Sequence, residues 1–201
     1  MSLDKTRIVD EAVALLDAEG LEGVTLRKLA ARLGVQAPTL YWHLPNKSAL
    51  VTAIAEAIVP DPTPPGPEQP WQEWLTDFAV RLRAALLAHP DGARVVSIAQ
   101  LSRQTAAWSE LAMSTLADRG LSLRDARIIA LTVERFTIGH ALEEQSPRPD
   151  PADFDLASYT AAYPVSVRAI TEYFEPGRTV DDLFRDCLEV VVAGAGVVAV
   201  Q

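Results

Sequence analysis

The sequence predicts an all-α protein, in which a three-helix N-terminal domain of helix-turn-helix type precedes a larger C-terminal helical bundle. Two observations predict helices throughout. Ala, Leu and Val dominate a composition that is 49% hydrophobic and only 6% aromatic, which favours helices over sheets. Apolar residues also recur at helical spacing between short segments rich in glycine or proline. A length of 201 residues allows one large domain or two small ones.

The first two helices follow from local start and stop signals. Residues 4–19 show apolar positions at helical spacing, and Gly20 and Gly23 are expected to end that helix. Thr25 is a favourable N-cap for a second helix, LRKLAARL. Gly34 lies where a glycine commonly ends a helix.

A third, short helix is predicted over residues 35–43, since Pro38 is tolerated in a first turn. Asn46 can cap a fourth helix that runs to about Val59. A helix, a glycine turn and a short second helix form the helix-turn-helix pattern. The alternative is a plain three-helix bundle with no role at DNA.

Six prolines between Pro60 and Pro70 exclude a helix there. The segment is either an exposed, semi-rigid connector or an ordered coil packed on the surface, and either marks a domain boundary. We therefore predict a domain over residues 1–45, a connecting helix over 46–59 and a second domain over 71–201. Helical periodicity in the second domain predicts helices over 71–89, 93–101, 105–118, 122–145, 158–175 with a break at Pro164, and 180–198.

Bulk properties exclude several classes of protein. The net charge of -9 argues against a protein that coats nucleic acid over its whole surface. Cys187 is the single cysteine, so no disulfide forms within the chain. The charged N-terminus is unlike a signal peptide, and the longest apolar run, 190–200, is too short to span a bilayer. A cytoplasmic protein is expected. Three histidines and no glycine-rich phosphate loop provide no catalytic constellation, so we expect no enzyme.

One stretch of 33 residues, from Gly23 to Ala55, contains no aspartate or glutamate in an otherwise acidic chain. Its basic and imidazole side chains belong to Arg27, Lys28, Arg32, His43 and Lys47. A locally positive face on an acidic body suits contact with a phosphate backbone. This window therefore favours the DNA-binding interpretation over the plain bundle.

The candidate recognition helix lies within this window, over residues 36–43. A glutamine amide such as Gln36 can bond adenine, and Ala37 or Pro38 can touch a thymine methyl group. Tyrosine, imidazole and ammonium groups at the end of the helix suit phosphates, although Trp42 could instead be a core aromatic. Arg27 could reach a guanine or a phosphate, or remain a solvated surface residue. The predicted DNA-binding set is Thr25, Arg27, Lys28, Gln36, Ala37, Pro38, Thr39, Tyr41, Trp42, His43 and Lys47.

The segment LRKLAARLGVQAPTLYWHLPNKSALV resembles the DNA-binding domain of the TetR family of bacterial repressors. The resemblance covers residues 3–59 strongly and continues more weakly through LRAALL, DGARV, GLSLRDA and FTIGHALEEQ. It implies a C-terminal domain for ligand binding and dimerisation. It further implies a homodimeric repressor whose partners are double-stranded DNA with a palindromic operator and a small-molecule effector. No cofactor and no membrane contact are expected, and a protein-interaction module or an activator remain alternatives.

Departures from the tetracycline-sensing members of the family bear on the ligand. Where those proteins hold magnesium through a histidine, this chain has Val96, whose side chain cannot ligate a metal. Phe78 and Ala99 replace a drug-contacting asparagine and a threonine, whereas Glu143 matches a retained carboxylate. Magnesium–tetracycline is therefore not the expected effector. We expect an apolar or mildly cationic molecule instead, and an operator of different sequence.

Candidate ligand contacts combine this resemblance with the aromatic residues of the C-terminal domain: Trp74, Phe78, Leu82, Val96, Gln100, Trp108, Met113, Phe136, His140 and Glu143. The alternative is that these aromatics are simply core residues. His140 and Glu143 share one helix face and could anchor a polar group, or bond each other or the dimer interface. Dimerisation is expected from helices 122–145 and 180–198, the latter with a stripe of Leu183, Leu188, Val191, Val192, Ala195 and Val198.

Overall fold

The computed structural model describes residues 4–99, 102–147, 150, 154–175 and 177–198. The described residues form eleven helices and no strand, which confirms the all-α prediction. The helices are α1 (Lys5–Gly23), α2 (Leu26–Leu33), α3 (Ala37–Tyr41), α4 (Lys47–Ile58), α5 (Trp71–Leu87), α6 (Gly92–Ile98), α7 (Arg103–Asp118), α8 (Leu123–Gln145), α9 (Leu156–Ala162), α10 (Pro164–Phe174) and α11 (Val180–Val198).

Side-chain caps fix the starts of α2 and α4 where the sequence predicts them. The Thr25 hydroxyl accepts a hydrogen bond from the Lys28 backbone N–H at 3.2 Å. The Asn46 side chain accepts one from the Ala49 backbone N–H at 2.8 Å. Each cap satisfies a backbone donor that the helix leaves without an internal acceptor.

The recognition helix is shorter than predicted, because α3 begins at Ala37 rather than at Val35. Gly34 adopts a left-handed conformation with φ 68°. The Val35 N–H then bonds back to the Ala30 carbonyl at 3.0 Å. Since Val35 completes the end of α2 in this way, the next helix starts two residues later.

The first helix also differs from the prediction, since α1 continues to Gly23 across a kink at Gly20. Gly20 has φ 66°, a left-handed conformation that glycine tolerates. The Leu21 N–H donates to the Asp91 carboxylate at 2.8 Å. A residue 70 positions away in sequence thus supports the final turn of α1.

The proline-rich segment 60–70 is an ordered coil on the surface and contains no helix. The Trp74 indole N–H donates to the Thr63 carbonyl at 2.8 Å, and Arg81 donates to the Thr63 hydroxyl at 3.1 Å. The Gln104 amide donates to Asp61 at 2.6 Å. Of the two alternatives that the sequence left open, the packed coil is the one observed.

The second half of the chain is built around α8, against which α5, α6, α7 and α11 pack. Part of the α11 stripe predicted for dimerisation packs inside the same chain instead, because Leu188 and Val192 are buried in its hydrophobic core. By contrast, α9 and α10 bury no residue and pack mainly against each other. Among the described residues, no helix is both long and apolar enough to cross a membrane.

Candidate nucleic-acid interface and ligand cleft

The short helix α3 is held in place by apolar residues on one side and exposes polar residues on the other. Leu40 and Leu44 are buried, and Ala37 is half-buried against the same core. The residues predicted to contact DNA are otherwise exposed here: Gln36, Pro38, Thr39, Tyr41, Trp42 and His43. Trp42 is 91% exposed. The core-aromatic alternative for Trp42 is therefore wrong.

In the structure, some basic residues of the carboxylate-free window are paired with carboxylates and others are not. Lys28 forms an ion pair with Glu19, and Arg32 forms one with Glu11, both carboxylates belonging to α1. Arg27 and Lys47 are exposed, and within the described part of the chain neither has an ion-pair partner. Fewer positive side chains are thus available to a ligand than the carboxylate-free window suggested.

The N-terminus of α4 lies beside α3 and adds backbone donors to this face. Because Asn46 caps only the Ala49 N–H, the Lys47 and Ser48 N–H groups have no acceptor among the residues that the structure describes. Lys5, which the sequence interpretation missed, lines a surface cavity together with His43, Asn46 and Ser48. Donors at a helix N-terminus with nearby cations suit a phosphate.

A separate cleft of about 370 Å³ opens between α6, α7 and α8. Its walls are mostly apolar, with a few polar groups, the usual character of a small-molecule site. Val96 is the predicted ligand contact that lines it, and the other lining residues are Ser97, Thr105, Leu131, Glu134, Arg135, Ile138, Gly139 and Leu142.

A deeper recess adjoins the cleft and shares Val96, Thr105, Glu134 and Ile138 with it. Three further predicted contacts line this recess, namely Phe78, Leu82 and Trp108. Phe78 and Trp108 stack with an interplanar angle of 4°. The buried Trp108 indole N–H has no hydrogen-bond partner among the described residues. An unpaired buried donor is uncommon, because its desolvation costs free energy.

Glu134 is the carboxylate among the lining residues that sequence analysis missed. It lies on α8 in a stripe with Leu131, Ile138 and Leu142, and all four line the cleft. Burial raises the pKa of the Glu134 carboxyl, and the charge of Arg135 opposes that effect. The signal available in the sequence was a single carboxylate within an otherwise apolar helical stripe.

The remaining predicted ligand contacts lie elsewhere. Phe136 and His140 pack with Phe184, at ring distances of 5.7 and 5.1 Å from it, in a second cluster between α8 and α11. Neither lines the cleft, nor do half-buried Met113 and exposed Glu143. Trp74 packs behind Trp108 at 5.3 Å, and Gln100 lies outside the described residues.

The proposed pair of His140 and Glu143 is not observed. His140 Nε2 lies 3.5 Å from a carboxylate oxygen of Glu144, one residue further along α8. Glu144 in turn accepts two hydrogen bonds from Arg83, each at 2.6 Å. The histidine thus lies beside the Arg83–Glu144 ion pair that joins α5 to α8, rather than in the cleft.

Several contacts connect the cleft region to the N-terminal helices. Val59, at the C-terminus of α4, lines the deep recess. The Arg103 backbone N–H, which starts α7, donates to the Glu56 carboxylate of α4 at 2.8 Å. At the start of α6, Asp91 accepts from the Leu21 N–H of α1 at 2.8 Å. A displacement of α6 or α7 would therefore reach α1 and α4 directly.

Comparisons with known proteins match both parts of the chain. Residues 8–54 match the model of bacterial regulatory proteins of the tetR family, and residues 63–198 match the tetracyclin repressor-like C-terminal domain. The tetracycline repressor protein class E of Escherichia coli is 40% identical over 149 residues, covering 73% of this chain and 70% of the relative.

Solved structures show the same similarity. TetR (class A) in complex with 5a,6-anhydrotetracycline and magnesium has a TM-score of 0.70 and 31% identity, covering 96% of this chain and 98% of that one. BioQ with its double-stranded DNA operator has a TM-score of 0.65 and 33% identity, covering 73% of this chain and 90% of that one.

Proposed function

Because the chain belongs to the TetR family of bacterial regulatory proteins, we propose that it is a ligand-responsive transcriptional repressor. It binds an inverted-repeat operator as a homodimer and leaves that operator when a small effector enters the cleft. The protein acts by binding and not by catalysis. Since it works on operator DNA, its proposed location is the cytoplasm.

One observation supports this proposal above the others. The polar and aromatic residues of α3 all face solvent over buried Leu40 and Leu44, while Arg27 and Lys47 beside them lack carboxylate partners among the described residues. A short helix whose exposed side bears hydrogen-bonding groups, with an available cation on the helix before it and one on the helix after it, suits the major groove. The relative BioQ is known in complex with its DNA operator.

Each residue of this face has a proposed role. Gln36 and Thr39, at the start of α3, would read base edges, with Pro38 against a thymine methyl group. Tyr41, Trp42, His43 and Lys47, at its end and at the start of α4, would hold phosphates. Thr25 positions α2 as its N-cap, whereas Lys28 is engaged by Glu19. Lys28 is therefore the weakest candidate of the predicted set.

Unburied apolar residues of the C-terminal half support a homodimer. Leu156, Tyr163 and Val165 on α9 and α10 are 62%, 55% and 71% exposed, although each is large and apolar. Leu123 on α8 and Val190 on α11 are exposed to a similar degree. Exposed apolar surface of this kind marks an interface. A second copy of the chain would cover it and place two α3 helices on one operator.

Release would pass through the contacts between the two halves. An effector in the cleft contacts α6, α7 and α8. Val59, at the end of α4, lines the recess behind this cleft. A ligand that binds one arrangement of these helices better than the other shifts the spacing of the two recognition helices. A coupling free energy of about 1–3 kcal/mol is enough for useful switching.

The cleft does not suit the magnesium chelate of the tetracycline-sensing relatives. Among the described lining residues Glu134 is the only carboxylate and no histidine is present, while Val96 presents an apolar side chain. Magnesium prefers several oxygen ligands in octahedral geometry. We expect no heat of binding when tetracycline is titrated with excess magnesium into the protein in a calorimeter. Magnesium-dependent binding would contradict this prediction.

The proposed function is tested by selecting bound fragments of genomic DNA with the purified protein. We expect an inverted repeat whose half-sites lie about one helical turn apart or a multiple of it, because two symmetric copies bind successive major grooves. Analytical ultracentrifugation of the complex should give two chains on each operator. Recovery of no fragment, or of sites without two-fold symmetry, would count against a dimeric repressor and favour a protein-interaction module.

A further inference from the structure

We propose that the effector is a cationic amphiphile, an organic ammonium ion with an aromatic or aliphatic body, whose charge is bound by Glu134. The body would lie in the cleft between α6, α7 and α8, against Val96, Leu131 and Ile138. This inference rests on the proposed function, since it assigns the chemical class of the ligand that the cleft receives.

The position of Glu134 is the first argument. It lines the cleft and also the small recess behind it, so a molecule that fills the cleft lies against it. No salt bridge or side-chain hydrogen bond of Glu134 is found within the described part of the chain. Apart from Thr105, every other residue that lines the recess is apolar. A half-buried carboxylate without a partner is costly. A bound cation would remove that cost.

The neighbouring Arg135 does not take this role. It is exposed and forms no ion pair with Glu134, and its charge only opposes the effect of burial on the Glu134 pKa. Arg135 borders the outer cleft but not the recess. An anionic ligand could meet Arg135 only at the cleft mouth, and it would be repelled by Glu134 further in.

Trp108 is the second argument. Its side chain is 2% exposed and lines the recess, and its indole N–H has no acceptor in the described structure. The ring stacks face to face on Phe78, which is also buried, so the stacked faces are closed to a ligand. The recess beside the indole N–H has a volume of about 10 Å³, room for one water-sized group. A small acceptor on the ligand, such as an ether or carbonyl oxygen that enters the recess, would satisfy the indole N–H.

The volume limits the size of the ligand. A cleft of about 370 Å³ is at the small end of sites for drug-sized molecules. A bicyclic aromatic body with a short aminoalkyl chain fits this range, with the ammonium group at Glu134 and the rings against Val96, Leu131 and Ile138. A neutral molecule that accepts a hydrogen bond from the protonated Glu134 carboxyl is the competing ligand class.

The test uses three probes that share a naphthalene body and differ in charge: 2-(2-naphthyl)ethylamine, 2-(2-naphthyl)ethanol and 2-naphthylacetate. Binding to the 201-residue chain is measured by calorimetry at neutral pH. We expect the amine to bind about tenfold or more tightly than the alcohol, because a hydrogen bond to a charged group is worth about 1.5–3 kcal/mol. The acetate should bind most weakly.

Three variants locate the effect. Glu134→Gln should reduce the preference for amine over alcohol to within about twofold, since the amide keeps the shape of the side chain and removes the charge. Glu110→Gln removes an exposed carboxylate on α7, two residues from Trp108, and should keep the full preference. Trp108→Phe preserves the stacked ring and should leave the preference for amine over alcohol unchanged, because neither probe carries an acceptor on its rings.

Equal binding of amine and alcohol, tighter binding of the acetate, no binding of the amine, or an unchanged preference in Glu134→Gln would each overturn the proposal. Operator binding is measured on the same preparations. If the wild-type chain binds no operator while the amine preference is lost in Glu134→Gln, the proposed function fails and the ligand class stands. If the wild-type chain binds an operator and Glu134→Gln keeps the amine preference, the ligand class fails and the proposed function stands.

Discussion

Replacing Arg27 and Lys47 together by alanine should weaken operator binding about a hundredfold, since two hydrogen bonds from charged groups are removed. These are the basic residues of the window for which the described structure shows no carboxylate partner. Each phosphate contact contributes about 0.9 to the slope of log affinity against log salt. The slope should therefore fall by about one for Lys47→Ala alone, and further in the double variant if Arg27 also contacts phosphate. Fluorescence anisotropy across a salt series measures both quantities.

Arg32→Ala is the matched control for this prediction. Arg32 lies in the same window and is also exposed, but its guanidinium is paired with Glu11. We expect little change in the salt slope, because the side chain is already neutralised on the protein. An unchanged slope in the Arg27/Lys47 variant, or an equally large loss in Arg32→Ala, would refute the assignment of this face.

Arg83→Ala should destabilise the fold by about 3–5 kcal/mol, the cost of leaving a buried charge without its partner. Arg83 forms two hydrogen bonds to Glu144 and one to Asp181, at 2.6, 2.6 and 2.7 Å, and its guanidinium lies 4.8 Å from the Phe184 ring centre. The side chains of Arg83 and Glu144 are only 12% and 16% exposed. The hydrogen bond to Glu144 is the main reason that the pKa of Arg83 is raised.

Urea denaturation at a fixed protein concentration measures this loss, since dimerisation adds to stability. Arg94→Ala is the comparison, because the pair of Arg94 and Glu22 is 50% and 76% exposed. An exposed pair of this kind contributes about 0–1 kcal/mol. A change below about 1 kcal/mol in Arg83→Ala would show that the cluster joining α5, α8 and α11 does not stabilise the fold.

Local signals predicted the elements of the N-terminal half well. Thr25 and Asn46 each cap the helix that the sequence assigned to them, since a cap needs only a backbone donor three residues away. The start of α3 was placed two residues early because the bond from Val35 back to Ala30 belongs to the end of α2. Periodicity alone does not reveal whether a residue at the turn belongs to the helix before it or to the helix after it.

Local sequence signals could not predict contacts between segments that are distant in sequence. The absence of carboxylates in the window suggested five available positive or titratable groups, yet Glu11 and Glu19 of α1 neutralise two of them. The support of α1 by Asp91 likewise joins residues 70 positions apart. Such pairings depend on how the helices pack, which spacing along one helix does not determine.

The residues that line the cleft and its recess were predicted only in part, for the same reason. Phe78, Leu82, Val96 and Trp108 come together at the small recess behind the cleft, whereas Phe136 and His140 face α11. Aromatic residues at helical spacing indicate burial but not the neighbour against which they are buried. Glu134 could have been found, because a carboxylate within the stripe of Leu131, Ile138 and Leu142 contradicts a purely apolar face.

Hydroxyl-radical footprinting of the wild-type protein on its selected operator tests the central claim most directly. Two copies of the α2–α4 face should protect two symmetric patches on one side of the duplex, about 34–36 Å apart or a multiple of that spacing. Both patches should fade together in the Arg27/Lys47 variant and persist in Arg32→Ala. A single patch, continuous protection, or a footprint that survives the loss of Arg27 and Lys47 would contradict it.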